Sequence, residues 1–152
     1  MHTPNVHKLT CDRAVMFKAG RPRLDGVWLK LESDSRKPVE VALRLRHAPK
    51  EGDFSSEVDL ASVKATVPRR AKGWVRFALQ AELKPGDNYY LMLPKTAGLS
   101  WHLFELAPEN TSRAYRGGRE WHPSGDAYMF RFDAPQQRSE ERRVGKECRS
   151  RW

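Results

Sequence analysis

The stretch VEVALRLR, residues 39–46, alternates apolar and polar side chains without interruption and decides the expected fold. Val39, Val41, Leu43 and Leu45 form one face, and Glu40, Ala42, Arg44 and Arg46 form the other. A period of two residues is typical of a β-strand that buries one face and exposes the other. The stretch LDGVWLKLE, residues 24–32, alternates in the same way, and the intervening SDSRKP, residues 33–38, has the composition of a turn. We therefore expect the two stretches to pair as antiparallel neighbours.

Strand-like segments recur along most of the chain. They are residues 14–17, 60–67, 74–79, 88–93, 100–107 and 127–132. No segment sustains a helical spacing of apolar residues over three turns. We therefore predict an all-β fold, an antiparallel two-sheet β-sandwich of about eight strands. The number of strands favours a jelly roll over an immunoglobulin-like topology.

Length and composition limit the function classes. A chain of 152 residues predicts one domain with a sizeable core. No apolar run approaches the roughly 18 residues of a membrane helix, and the N-terminus lacks the apolar segment of a signal peptide. We therefore expect no membrane partner and leave the compartment open. The two cysteines, Cys11 and Cys148, predict neither a disulfide framework nor a metal site.

The last fifteen residues, RSEERRVGKECRSRW (138–152), differ from the rest of the chain. Six basic against three acidic side chains give them +3 of the formal net charge of +9. A phosphate-binding arm and a solvated end are two interpretations. The string also resembles, residue for residue, the translation of a common sequencing-library adapter, which is the origin that we predict. The expected organisation is then a β-sandwich at residues 1–137, a fragment of a longer protein, followed by an artefactual, disordered tail.

Catalytic and ligand-binding signatures are missing from the sequence. It contains no G-x-S-x-G, H-E-x-x-H, paired C-x-x-C or phosphate-loop motif, so we expect a chain that is not an enzyme and holds no cofactor. Asp53, Glu57 and Asp59 could supply oxygen ligands for Ca²⁺, but a solvated acidic loop is the interpretation that we favour. Outside the tail the basic residues are dispersed, which predicts no nucleic-acid partner.

Two segments between the expected strands are long, residues 47–59 and residues 107–127. Long loops on a rigid sandwich often carry function. These two segments are therefore where a functional site is expected first.

Aromatic side chains are the candidate ligand-binding residues. Trp28, Trp74 and Tyr90 each alternate with residues expected to face the core, so if the three share an outer sheet face they form an exposed patch on which sugar rings could stack. Tyr115 and Trp121, in the second long loop, could contribute at the rim. The interpretation that we favour is that these aromatic residues pack on a neighbouring domain or under loops.

The segment KGWVRFALQAELKPGDNYYLMLP, residues 72–94, resembles the G-W-x-x-F-x-L and P-G-x-x-Y-Y-L-x-L hairpin of jelly-roll modules attached to bacterial enzymes. The matching positions are Trp74, Phe77, Leu79, Pro85, Gly86, Tyr89, Tyr90 and Leu91. The wider run of residues 10–135 is similar to the β-sandwich region that follows the flavin domain in a family of bacterial FAD-dependent oxidoreductases. The resemblance implies an accessory domain without flavin-binding or catalytic residues of its own.

The leading prediction is therefore a non-catalytic β-sandwich accessory module of a larger bacterial enzyme. Its partners would be the other domains of that enzyme, against which it packs, or glycans bound through its aromatic side chains. A stand-alone carbohydrate-binding module is the alternative. A hydrolytic enzyme that uses His122 or Glu120, and a nucleic-acid binder, are less favoured.

Overall fold

The computed structural model describes residues 5–133. Within that range all of the regular secondary structure is β-strand. The strands are β1 (Val6–Lys8), β2 (Arg13–Lys18), β3 (Arg23–Leu24), β4 (Val27–Ser33), β5 (Val39–Ala48), β6 (Asp59–Val67), β7 (Lys72–Phe77), β8 (Ala81–Glu82), β9 (Asn88–Leu93), β10 (Leu99–His102), β11 (Ser112–Gly117), β12 (Glu120–Ser124) and β13 (Phe130–Phe132). Within residues 5–133 no helix is long and apolar enough to cross a membrane. The expected domain end at residue 137 and the tail at 138–152 lie outside the described residues.

Two antiparallel sheets contain most of the strands. The six-stranded sheet has the order β12-β11-β2-β9-β5-β6. In the five-stranded sheet β7 pairs with one edge of β4, whereas β10 and β13 pair with the two halves of its other edge and β1 lies beyond β10. A separate short pair joins β3 and β8. The prediction of an all-β, two-sheet sandwich is confirmed, and the choice between jelly roll and immunoglobulin-like topology stays a prediction.

The main core lies between the inner faces of the two sheets. The predicted inward residues of β4 and β5, except the half-buried Val39, are buried there, because alternate residues of a strand point to the same side. They are Val27, Leu29, Leu31, Val41, Leu43 and Leu45. Trp101 of β10 is fully buried in the same core and stacks on Tyr128, with ring centroids 4.6 Å apart.

A second, smaller core covers the outer face of the six-stranded sheet. The two central strands β2 and β9 are buried on both faces. Their outward residues pack with Phe54 from the loop at residues 49–58 and with the half-buried Trp121 of β12. The outward residues are Ala14, Met16, Tyr90 and Met92. The loop therefore serves as a lid over the sheet.

The expected antiparallel pairing of β4 with β5 is wrong. The two strands belong to different sheets, since β4 pairs with β7, β10 and β13, whereas β5 pairs with β6 and β9. The turn at residues 34–38 carries the chain from one sheet to the other. Alternation specifies only that each strand has one buried face. The buried faces of β4 and β5 meet in the same core, so the sequence pattern is the same whether the two strands are neighbours in one sheet or lie in facing sheets.

The expected loop at residues 107–127 contains a β-hairpin. Strand β11 pairs with β12 from Arg113 opposite Ser124 to Gly117 opposite Glu120. The two residues between them are Gly118, with a φ of 71°, and Arg119. This left-handed conformation favours glycine. The hairpin lies at the end of the sheet and is mostly exposed, so its strands carry little of the apolar alternation that predicts a strand.

Candidate functional site

A groove opens between the loop at residues 49–58 and the β11–β12 hairpin, the two segments in which the sequence predicts function. It encloses about 560 Å³. Its apolar wall is formed by Phe54 and Trp121. Its ionisable lining is Lys50, Glu51, Asp53, Glu57, Arg119 and Glu120, four acidic and two basic side chains. The groove is thus an aromatic surface surrounded by hydrogen-bonding groups with a net negative charge.

Three aromatic rings form the wall and the layer beneath it. The ring of Phe54 stacks on that of Trp121 with centroids 5.9 Å apart and an interplanar angle of 30°. Tyr90 lies under both, with centroid distances of 5.2 Å to Phe54 and 6.3 Å to Trp121. Phe54 and Tyr90 are buried, whereas Trp121 is half-buried and presents part of its ring to the groove.

A buried polar network under the loop holds Phe54 in this position. The hydroxyl of Tyr90 is hydrogen-bonded to the carbonyl oxygen of Ser56 and lies 3.2 Å from that of Phe54. Arg46 donates to the carboxylate of Asp59 at 2.7 Å and to the carbonyl of Ser56 at 3.4 Å. The loop is therefore fixed through its own backbone by side chains of β5 and β9.

The protonation states of this network favour its hydrogen bonds. Burial raises the pKa of the Tyr90 hydroxyl, which keeps its proton available to the loop carbonyls. Burial alone would lower the pKa of Arg46, but hydrogen bonds to Tyr90 and Asp59 outweigh it and raise that pKa. Arg46 is thus a buried cation whose Nε and Nη1 donors are paired, and a buried charge needs such partners.

Each of the three carboxylates proposed from the sequence as Ca²⁺ ligands contacts a different partner. Asp59 forms ion pairs with Arg44 and Arg46. Asp53 accepts hydrogen bonds from the backbone and hydroxyl of Ser55, which lower the pKa of its carboxyl. Glu57 lies 3.5 Å from Arg116. Within residues 5–133 no three histidine, cysteine, aspartate or glutamate side chains are grouped so that they could hold a metal ion.

Trp28 and Trp74 lie together on the outer face of the five-stranded sheet. We call this the Trp–Arg face and define it by Trp28, Lys30, Lys72, Trp74, Arg76 and Arg131. The guanidinium carbon of Arg131 lies 5.0 Å from the ring centroid of Trp28 and 4.6 Å from that of Trp74. The indole nitrogen of Trp28 donates to Asp133 at 2.8 Å, and Arg76 pairs with the same carboxylate at 2.6 Å.

The other aromatic candidates are elsewhere. Tyr90 does not share the face of Trp28 and Trp74, because it belongs to the other sheet and is 0% exposed under the loop. Tyr115 is 40% exposed and stacks on His122, with centroids 4.9 Å apart. It lies on the opposite face of the hairpin from Trp121, since the two occupy adjacent paired positions in β11 and β12. Of the five candidates, only Trp121 lines the groove.

A second polar cluster lies at the edge of the main core around Tyr128. Arg13 donates to the Tyr128 hydroxyl at 3.0 Å. Because an arginine can only donate, the hydroxyl proton is left to point at Nδ1 of His7, 2.9 Å away. Burial, followed by the positive charges of Arg113 and Arg13, lowers the pKa of His7. The folded protein therefore favours a neutral His7 that accepts from Tyr128.

This arrangement predicts that stability falls on mild acidification. In the unfolded chain His7 takes up a proton as the pH falls through its ordinary pKa near 6.5, whereas the folded chain takes it up only at lower pH. The contribution of neutral His7 to the free energy of unfolding is therefore complete above the pKa that His7 has in the unfolded chain. It is lost as the pH falls toward the lower pKa that His7 has in the folded chain. We expect the midpoint of thermal unfolding to decrease between about pH 7.5 and about pH 5.5, and to decrease less in His7→Gln, which keeps an acceptor for Tyr128. Equal decreases in the two proteins would contradict this assignment.

Sequence patterns miss three residues that build these sites. Phe54 is flanked by polar residues in a loop, so no periodicity predicts its burial. Arg46 falls on the polar face of its strand and is buried only because the loop covers it. Arg131 lies about a hundred residues from Trp28 in the chain and reaches it through the pairing of β13 with β4. Only for Phe54 does the sequence contain an indication of burial, because it is a large apolar residue in an otherwise polar loop.

No protein-family model matches the chain, and a search of curated proteins finds none that is significantly similar to it.

Proposed function

We propose that this chain is a non-catalytic β-sandwich module, accessory to a larger bacterial enzyme, and that it binds a neutral glycan in the groove. The observation that carries the proposal is the stacked pair of Phe54 and Trp121 among carboxylates where the two long segments meet. Apolar and aromatic walls with a few polar groups are typical of ligand sites. The accessory role rests on the resemblance to sandwich domains of bacterial enzymes.

The chemistry of the lining is suited to a sugar. The exposed part of Trp121 offers a flat apolar surface to the C–H face of a pyranose ring. Asp53, Glu57 and Glu120 offer oxygen atoms that accept from sugar hydroxyls, while Arg119 donates. The excess of acidic over basic groups disfavours a negatively charged ligand and favours a neutral one.

The non-catalytic part of the proposal rests on how the carboxylates are held. A glycoside hydrolase needs a carboxyl group with a raised pKa as its general acid. The hydrogen bonds from Ser55 instead lower the pKa of Asp53, and Glu57 faces Arg116. Both carboxylates therefore suit hydrogen-bond acceptance. A hydrolytic function would instead produce an activity that Glu120→Gln or His122→Ala removes.

The proposal predicts that Trp121 is required for binding. In affinity electrophoresis through gels containing β-glucan, xylan or mannan, we expect at least one polysaccharide to retard the wild-type chain. Trp121→Ala should weaken that binding by about tenfold or more, as expected for an aromatic anchor. Glu120→Gln, which changes an exposed carboxylate without touching the second core, should weaken it less.

Leu106→Ala is the matched control, because Leu106 is an exposed apolar residue that does not line the groove. It should bind as the wild type does. A thermal unfolding curve of each variant separates loss of the site from loss of the fold. Retardation by no polysaccharide, or equal retardation of Trp121→Ala and the wild type, would contradict the glycan proposal.

Packing against another domain is a second candidate function, favoured by the exposed edge of the six-stranded sheet. Strand β6 ends that sheet, and Val58 and Leu60 near its start are 69% and 50% exposed. Open strand edges pair readily with other chains unless they are covered. The reading frame around residues 1–137 tests the accessory role. Continuation into an enzyme domain would support it, and a start and a stop codon directly at its ends would contradict it.

A further inference from the structure

The Trp–Arg face presents cations that have no acidic partner among residues 5–133. Arg131 is exposed, and its guanidinium lies against the rings of Trp28 and Trp74. Lys30 and Lys72 form no ion pair within the described range either, and only Arg76 is matched, by Asp133. Among the described residues the guanidinium donors of Arg131 have no hydrogen-bond acceptor, so they can bind an anion.

The two indole rings hold these donors in a defined position. An arginine normally loses rotamer freedom when it binds a ligand, which costs free energy. Cation–π contacts with Trp28 and Trp74 already restrict the Arg131 side chain before a ligand arrives. Because β13, β4 and β7 are adjacent, Arg131, Lys30 and Lys72 lie across three neighbouring strands of one sheet face. The same face carries two carboxylates, and these have other partners: Glu32 lies 2.7 Å from His102 and Asp133 lies 2.6 Å from Arg76. Arg131, Lys30 and Lys72 are therefore the cations that this flat surface offers to a ligand.

We propose that the Trp–Arg face is a second binding surface, specific for an acidic polysaccharide whose uronate carboxylates pair with Arg131, Lys30 and Lys72. A guanidinium binds a carboxylate through two parallel hydrogen bonds, and the flanking lysines add charge attraction along an extended polymer. This ligand differs in charge from the one proposed for the groove. The two surfaces lie on different sheets and can be tested separately.

Charge and ring geometry favour a polysaccharide over the other polyanions. Stable protein interfaces have cores depleted of lysine, whereas Lys30 and Lys72 flank the two indoles on this face. Proteins that bind single-stranded nucleic acids stack bases on open aromatic rings. Here Arg131 lies over both rings, so the guanidinium, not an indole surface, is presented to the ligand.

Titration calorimetry with polygalacturonate tests this inference on the full chain. We expect binding that weakens with added salt, because Arg131 and Lys72 are exposed. Arg131→Gln should weaken the binding of polygalacturonate by about tenfold, because it removes one charge-assisted pair of hydrogen bonds to a carboxylate. Lys72→Gln, which removes an exposed charge and leaves the Trp–Arg contacts in place, should weaken it to a smaller extent. Methyl-esterified pectin, which has the same backbone without the charge, should not bind.

Arg119→Gln is the control variant, since it removes one positive charge from the groove and none from the Trp–Arg face. It should bind polygalacturonate as the wild type does. Equal affinity of Arg131→Gln and the wild type, or binding of the esterified pectin, would overturn the inference. Tighter binding of a single-stranded oligonucleotide or of polyglutamate would overturn it in favour of a nucleic-acid or protein partner. Neutral-glycan binding at the groove is unaffected by any of these outcomes.

Discussion

Tyr90→Ala is expected to lower the free energy of unfolding by about 3–5 kcal/mol and to abolish binding at the groove. Tyr90 is fully buried between the six-stranded sheet and the loop at residues 49–58, where its ring contacts Phe54 and Trp121. Removing the ring leaves a cavity, and removing the hydroxyl leaves the loop carbonyls and Arg46 with fewer partners. Because the loop supplies one wall of the groove, its release removes the site.

Tyr90→Phe separates the two contributions. It keeps the ring in place but deletes the hydroxyl, so we expect a loss of about 1–3 kcal/mol and a groove that still binds, more weakly. Urea unfolding measures the stability of both variants, and polysaccharide affinity at a temperature where each is folded measures the site. If Tyr90→Ala bound its polysaccharide as the wild type does, the loop would not depend on this anchor.

The inner faces of the sheets could be predicted from sequence because strand alternation is a local property. From Val27 to Leu31 and from Val41 to Leu45 every second residue is apolar and buried, and the residues between them are half-buried. Trp28 lies between two inward residues, so its outward direction follows from the same parity. The same reasoning holds for Trp74, which pairs opposite Lys30. Parity alone does not say which sheet a strand joins, and for that reason it could not reveal that β4 and β5 are separated.

The second core could not be predicted in this way, because strand β9 does not alternate. The sequence of its last five residues, YYLML, is apolar at every position, which is typical of a strand buried on both faces. Parity alone places Tyr90 on an exposed face, whereas its burial depends on a loop more than thirty residues away. Nothing local to β9 predicts that loop contact. The groove is assembled from such non-local contacts, as its two walls come from residues 50–57 and 119–123.

Trp101→Ala is expected to have a comparable effect on stability but none on the groove. Trp101 is fully buried between the sheets, stacks on Tyr128 and donates from its indole nitrogen to the carbonyl oxygen of Met129 at 3.1 Å. Replacing it by alanine removes this large buried side chain and costs about 3–5 kcal/mol. Because whole domains are stable by only about 5–15 kcal/mol, the variant should unfold at a much lower urea concentration.

The comparison with Tyr90→Ala tests whether the two cores are energetically separate. Trp101 belongs to the core between the sheets, and Tyr90 to the core under the loop, with the six-stranded sheet between them. At a temperature where it remains folded, Trp101→Ala should bind the groove polysaccharide with the affinity of the wild type, whereas Tyr90→Ala should not. Trp101→Phe, which keeps an aromatic ring against Tyr128, should recover part of the lost stability. If Trp101→Ala also lost binding while folded, the six-stranded sheet would transmit changes in the main core to the groove, and the loop could not be regarded as an independent lid.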